Sequence, residues 1–177
     1  VLDLLVDAPG KDLSPVGRLD KDTEGLLLIT DDGALSHALM VRIAIVEKEY
    51  EAVVDGALAA DAVSRFEQGM TLRDGTECKS AKLEILETEP ELRVRVTLKE
   101  GKTISQAHDR AVGGTVTALK RLRLGGLWLD KILAPGEFRE LTQEELENLP
   151  RKLEKLKKST NFLSFLYKNA RTCDIMT

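Results

Sequence analysis

Two runs alternate between apolar and polar residues, the first of them strictly, and they constrain the fold more than any other feature. Residues 93–98 read RVRVTL, and residues 115–124 read TVTALKRLRL. Successive side chains of a strand point to opposite faces, so each run predicts a strand in an antiparallel sheet with one wet face. Residues 47–55 (EKEYEAVVD), rich in Tyr and Val and partly alternating, predict another. The short apolar run 25–30 (GLLLIT), closed by Asp31, Asp32 and Gly33, reads as a buried strand followed by a turn.

Shorter strands are predicted at 70–72, 79–86, 127–129 and 138–141, with a hairpin turn at Asp74 and Gly75. Helical stretches are predicted at 34–40, 59–68, 104–112 and 143–149, with a continuation over 152–158. Thr142, followed three residues later by Glu145, is a capping box at the start of one of them. Residues 159–177 have no clear period. Strands predominate and helices interrupt them irregularly, which predicts an α+β fold on a mixed, largely antiparallel sheet with flanking helices.

Composition narrows the function. The 177 residues hold 26 basic and 30 acidic side chains, a net charge of -4. The charge is uneven: from Arg151 on there are seven basic and two acidic residues, leaving 19 basic against 28 acidic in residues 1–150. An acidic body argues against a nucleic-acid binder that depends on a broad basic face. No run of about 18 apolar residues exists, so no membrane-spanning helix is expected. Cys78 and Cys173 make no disulfide framework, and a reducing cytoplasm is the default setting. His37, His108 and the two cysteines lack metal-ligand spacing, so no metal is expected.

The stretch GRLDKDTEGLLLITDDG (17–33) carries the chemistry. It sets Arg18, Asp20, Asp22 and Thr23 in a loop just before a buried strand, where reacting groups are commonly held by a rigid element. A carboxylate beside a guanidinium stays ionised and directed, as a nucleophile or electrostatic stabiliser at a sugar carbon requires. The residues alone fit better an Asx-turn or helix cap with a surface ion pair. Likewise Tyr50 fits a core-filling aromatic, and Lys120, Arg121 and Arg123 fit a solvated strand face.

This stretch resembles the signature of the RsuA-type pseudouridine synthases, which modify ribosomal RNA. The resemblance continues in EKEY (47–50), GMTL (69–72), EGK (100–102), TALKR (117–121), Gly125 with Gly126, and LAPGEFREL (133–141), and covers residues 1–149. It implies a catalytic domain over residues 1–149 with a central cleft, followed by a C-terminal helix and irregular tail over 150–177. The family's small N-terminal RNA-binding domain is expected to be absent.

Carried over, Asp20 matches the catalytic aspartate. Arg18 matches a basic residue that pairs with it or lies near phosphates, and Tyr50 the tyrosine that packs on the target base. The implied reaction turns a uridine, flipped into the cleft, into pseudouridine without metal or cofactor. The implied partner is ribosomal RNA of the small subunit, or an assembly intermediate of that subunit, met in the cytoplasm by a monomer. Lys102, Lys120, Arg121 and Arg123 are the candidate RNA contacts.

Two departures stand out. After Glu100, Gly101 and Lys102 the chain reads TISQAHDR, one residue short and without the family's His-Gln and Arg-Met. Arg110 or His108 would have to supply the cation that pairs with the aspartate. Residues 40–46 (MVRIAIV) are apolar except Arg42, where the family is polar and basic. One alternative is therefore an RNA-binding or ribosome-assembly factor on the same fold with weak or no catalysis. Another is a glycoside-processing enzyme using Asp20 with Asp22.

Overall fold

The computed structural model describes Leu5, Asp7, Ala8 and residues 10–43, 45–71, 77–99 and 114–149, with backbone alone at 35, 42 and 162–167. In chain order the elements are β1 (Ser14–Pro15), β2 (Thr23–Thr30), α1 (Gly33–Ile43), β3 (Lys48–Asp55), α2 (Ala62–Gln68), β4 (Met70–Thr71) and β5 (Glu77–Cys78). There follow β6 (Lys82–Glu87), β7 (Leu92–Leu98), β8 (Thr115–Leu124), β9 (Leu127–Trp128), β10 (Phe138–Glu140), α3 (Gln143–Asn148) and β11 (Phe162–Tyr167). One sheet runs in the order β10-β11-β2-β8-β3-β7-β6, with β1 on β2 and β9 on β8. Every pairing in it is antiparallel except β2 with β8. The fold is the α+β, mixed and largely antiparallel sheet that the alternating runs predict.

Alternation explains which faces are buried. In β7, Val94, Val96 and Leu98 turn inward, while Arg93 and Arg95 stay partly exposed. They pack with Tyr50, Ala52 and Val54 of β3, Leu119 of β8 and Phe66 of α2 in one core. β2 has no polar face, because cores lie on both sides of it. Leu26 and Leu28 pack with Leu39 and Ile43 of α1, whereas Leu27 and Ile29 pack with Leu5, Leu13 and Phe138.

Several details depart from the sequence reading. α1 is longer than the expected 34–40, because residues 41–43 continue its turns. α2 begins at Ala62 rather than 59, and stops where its apolar stripe does, at Gly69, whose φ of 78° few other residues adopt. The capping box at α3 is present: the Glu145 amide donates to Thr142 Oγ1 at 3.3 Å, and the Thr142 amide to Glu145 Oε2 at 2.8 Å. The largest departure is β11. Residues 162–167, within the stretch read as an irregular tail, enter the sheet between β10 and β2, pairing along Gly25 to Thr30. The hairpin residues Asp74 and Gly75 and the helices expected at 104–112 and 152–158 lie outside the described residues.

Candidate active site

The site forms where β2 and β8 part. The two strands run parallel only from Thr23 to Gly25, opposite Leu119 to Arg121. Arg121 faces Gly25 on one side and Tyr50 of β3 on the other. Gly25 has a φ of 112°, and a methyl group built on it would fall 2.6 Å from the Arg121 amide nitrogen and closer still to the Arg121 carbonyl oxygen. Only glycine allows this approach. One residue further on, the Arg121 Nε donates to the Leu26 carbonyl at 2.8 Å. A side chain thus satisfies an acceptor to which β8 no longer gives a ladder bond.

Above this junction opens a pocket of about 120 Å³, lined among others by Arg18, Asp20, Lys48, Tyr50, Leu119 and Arg121. It joins side chains from both main cores, Tyr50 and Leu119 from one, Val16 and Ile43 from the other. Asp20 opens a tight turn: the Thr23 amide donates to the Asp20 carbonyl at 3.0 Å. The turn pins the backbone and leaves the carboxylate exposed at the pocket mouth. Asp20 thus both opens a turn and lines the pocket.

Tyr50 is 5% exposed and Arg121 4%. Burial raises the Tyr50 phenol above its usual 10.0, partly offset by the Arg121 guanidinium beside its hydroxyl, while the Asp20 charge raises it further. The phenol is thus neutral and forms an aromatic wall of the pocket. The Arg121 Nη2 is buried without a hydrogen-bond partner among the described residues. A buried unmet donor carries its full desolvation cost until an acceptor arrives.

The expected site residues fall into distinct groups. Arg18, Asp20 and Tyr50 come together in the pocket. Among the described residues Arg18 and Asp20 make no ion pair with each other or with another group within 4.0 Å. Arg121, read as an RNA-facing surface residue, is instead a buried pocket cation. Arg123 does not present a free charge: it pairs with Glu47 and Glu49 at 3.4 Å each, donates to the Gly125 carbonyl at 2.8 Å and lies 5.5 Å from the Trp128 ring centre. Lys120 stands in register between Glu24 and Glu51 and lines a neighbouring groove of about 370 Å³. Lys102, His108 and Arg110 lie outside the described residues. Among the described residues no cluster of three His, Cys, Asp or Glu side chains fits a metal, and no helix is long and apolar enough to cross a membrane.

Two pocket residues were not singled out as such from the sequence, and alternation carries the signal for both. Arg121 follows Leu119 by two positions in β8, so it shares that residue's buried face. Lys48, 4% exposed, shares a face of β3 with Tyr50, Ala52 and Val54, all buried.

Comparison with known proteins agrees with the fold. The profile of the RNA pseudouridylate synthase family matches residues 7–105, more than half of the chain. The chain belongs to this family. It is 44% identical over 138 residues to an uncharacterized RNA pseudouridine synthase of Bacillus subtilis (strain 168), covering 76% of this chain and 57% of that one. It is 39% identical over 138 residues to ribosomal small subunit pseudouridine synthase A of Escherichia coli (strain K12), covering 77% and 59%. These likenesses are of the RsuA type indicated by the sequence motifs. The chain therefore spans less than two thirds of the length of these relatives.

A crystal structure of a pseudouridylate synthase superposes with a TM-score of 0.69 at 36% identity, covering 78% of this chain and 60% of that one. The archaeal box H/ACA sRNP Nop10-Cbf5 complex contains a chain matching at TM-score 0.53 and 22% identity, over 70% of this chain and 42% of its own, a likeness of fold alone.

Proposed function

We propose that this chain isomerises a uridine to pseudouridine in ribosomal RNA of the small subunit, either free or within an assembly intermediate. Residues 1–149 form the catalytic unit together with β11, which completes the sheet along β2, and the chain works as a monomer in the cytoplasm. The observation that carries the reading is the composition of the pocket: an exposed carboxylate, Asp20, faces a buried Tyr50–Arg121 pair in one opening.

The reaction conserves atoms. The N1–C1′ bond breaks, the uracil turns, C5 bonds to C1′, the hydrogen on C5 leaves as a proton, and N1 takes up a proton. A stacked base must first be extruded to reach such a pocket. Tyr50 offers the ring against which it packs, a contact of about 1–3 kcal/mol. Asp20 supplies the negative charge at the sugar–base bond, acting on the sugar or base directly or removing the C2′ proton. Arg121, fixed by the Leu26 carbonyl, and Lys48 offset the charge of that carboxylate and of the incoming phosphates.

The test is tritium release from 5-tritiated uridine in small-subunit ribosomal RNA and in subunit intermediates. Asp20→Asn is expected to lower release by about a thousandfold or more while RNA binding persists. No release by the parent protein on any of these substrates would overturn the reading, and release by the variant at the parent rate would remove Asp20 from it. A second reading, an RNA-binding factor on this fold without turnover, draws on one observation: the Asp20 carboxylate has no ion-pair partner among the described residues. The same assay separates the two, because the binder retains RNA affinity with no release.

A further inference from the structure

Lys48 has no role in the reading above beyond its charge, yet its environment is unusual for a lysine. It is 4% exposed, at the start of β3, and lines the Asp20 pocket. Its ammonium donates to the Val46 carbonyl at 3.1 Å and to the Lys99 carbonyl at 3.3 Å. Val46 belongs to the connection that follows α1, the helix that brings Ile43 to the pocket. Lys99 directly follows β7. The turn between β8 and β9 is tied in beside them, since the Gly125 amide donates to the Glu47 carbonyl at 2.8 Å. Burying an ammonium is costly, and a surface lysine would serve a purely solubilising role without that cost. Two carbonyls from chain segments 53 residues apart, Val46 and Lys99, instead converge on it.

We propose that Lys48 is a positioning residue of the active pocket: its ammonium clamps the α1–β3 connection to the end of β7 and so fixes the pocket wall around Asp20 and Tyr50. The inference rests on the pseudouridine synthase reading for its catalytic consequence, but the clamp itself does not. A wall displaced by about 1 Å can cost about a hundredfold in rate when reacting groups must be aligned.

The test uses the full chain and the variants Lys48→Met, which keeps the length of the side chain, and Lys48→Arg, which keeps donors and charge. Hydrogen–deuterium exchange reads the clamp without any turnover. In Lys48→Met, the amides of 45–50 and 94–99 are expected to exchange at least about tenfold faster, with β6 unchanged, and Lys48→Arg restores them. In tritium release Lys48→Met is expected to lower kcat about ten- to a hundredfold with KM within about threefold, and Lys48→Arg to recover most of it.

Unchanged exchange in Lys48→Met overturns the clamp. Unchanged kcat with faster exchange overturns the catalytic consequence. Equal loss in both variants, with a lowered melting transition and with kcat and KM moving together, assigns Lys48 to fold stability alone. If Lys48→Met does not fold, Lys48→Arg decides: parent-like exchange and kcat are required. A parent protein without release defeats the reading of the function, while the exchange measurement still decides the clamp.

Discussion

Gly25 offers the sharpest test of how the pocket is built. In Gly25→Ala the new methyl would lie 2.6 Å from the Arg121 amide nitrogen. Ordinary contacts lie near 3.5 Å, so β2 and β8 must separate by about 1 Å at that point. The backbone itself is strained for any L-residue, because φ is 112°, which adds about 1–3 kcal/mol. Separation also weakens the bond from Arg121 Nε to Leu26, and a hydrogen bond from a charged group contributes about 1.5–3 kcal/mol.

The expected loss is about 3–5 kcal/mol, a large part of the roughly 5–15 kcal/mol that holds a domain folded. Urea unfolding measures it directly. Gly136→Ala is the control: its φ is 90°, with no atom within 4 Å of the added methyl, so it should lose only the strain of about 1–3 kcal/mol. A loss in Gly25→Ala no greater than in Gly136→Ala would refute the claim that close approach of β2 and β8 sets the pocket floor.

Two further predictions concern charge. Arg139 donates to both Glu145 carboxylate oxygens, at 2.6 and 2.7 Å, and holds that group at a pKa of about 2, with the Thr142 amide helping. A carboxyl lowered from 4.5 to about 2 on folding stabilises the protein fully above pH 4.5, and the gain is lost as pH falls toward 2. After screening by solvent the effect is about 1–2 kcal/mol, and Glu145→Gln should flatten stability over that window in acid titration followed by circular dichroism. Glu49 lies between Arg95 at 3.2 Å and Arg123 at 3.4 Å. Glu49→Gln leaves two guanidinium groups without their shared anion, so urea unfolding should register a loss of about 2–4 kcal/mol; a change under 0.5 kcal/mol, the usual surface value, would mean the pairs are inert.

Alternation made the sheet legible. β3, β7 and β8 follow the patterns 47–55, 93–98 and 115–124 almost residue for residue. The same rule, applied more strictly, would have turned Arg121 inward with Leu119. The cluster of neighbouring basic letters at 120–123 suggested a surface patch instead. Arg123 is hard to read for a related reason: β8 slips register against β3 near Tyr50, and the groups that neutralise Arg123, Glu49 of β3 and Glu47 just before it, lie far away in the sequence. β11 was hidden by its position. FLSFLY is apolar apart from Ser164 and carries no alternating pattern, and so short an apolar run is equally compatible with a buried helix turn. Asp20, by contrast, stands out only through motif resemblance, because its turn-forming neighbours alone describe an ordinary loop.

The late strand has a consequence for biosynthesis. The edge of β2 from Gly25 to Thr30 is covered by residues 162–167, so a chain emerging from its N-terminus carries that edge bare until those residues are made. An apolar strand with open amides and carbonyls recruits whatever strand it meets, including one from another nascent copy. A premature stop, or a protease cut, between 149 and 162 should therefore yield aggregates rather than a shortened working protein.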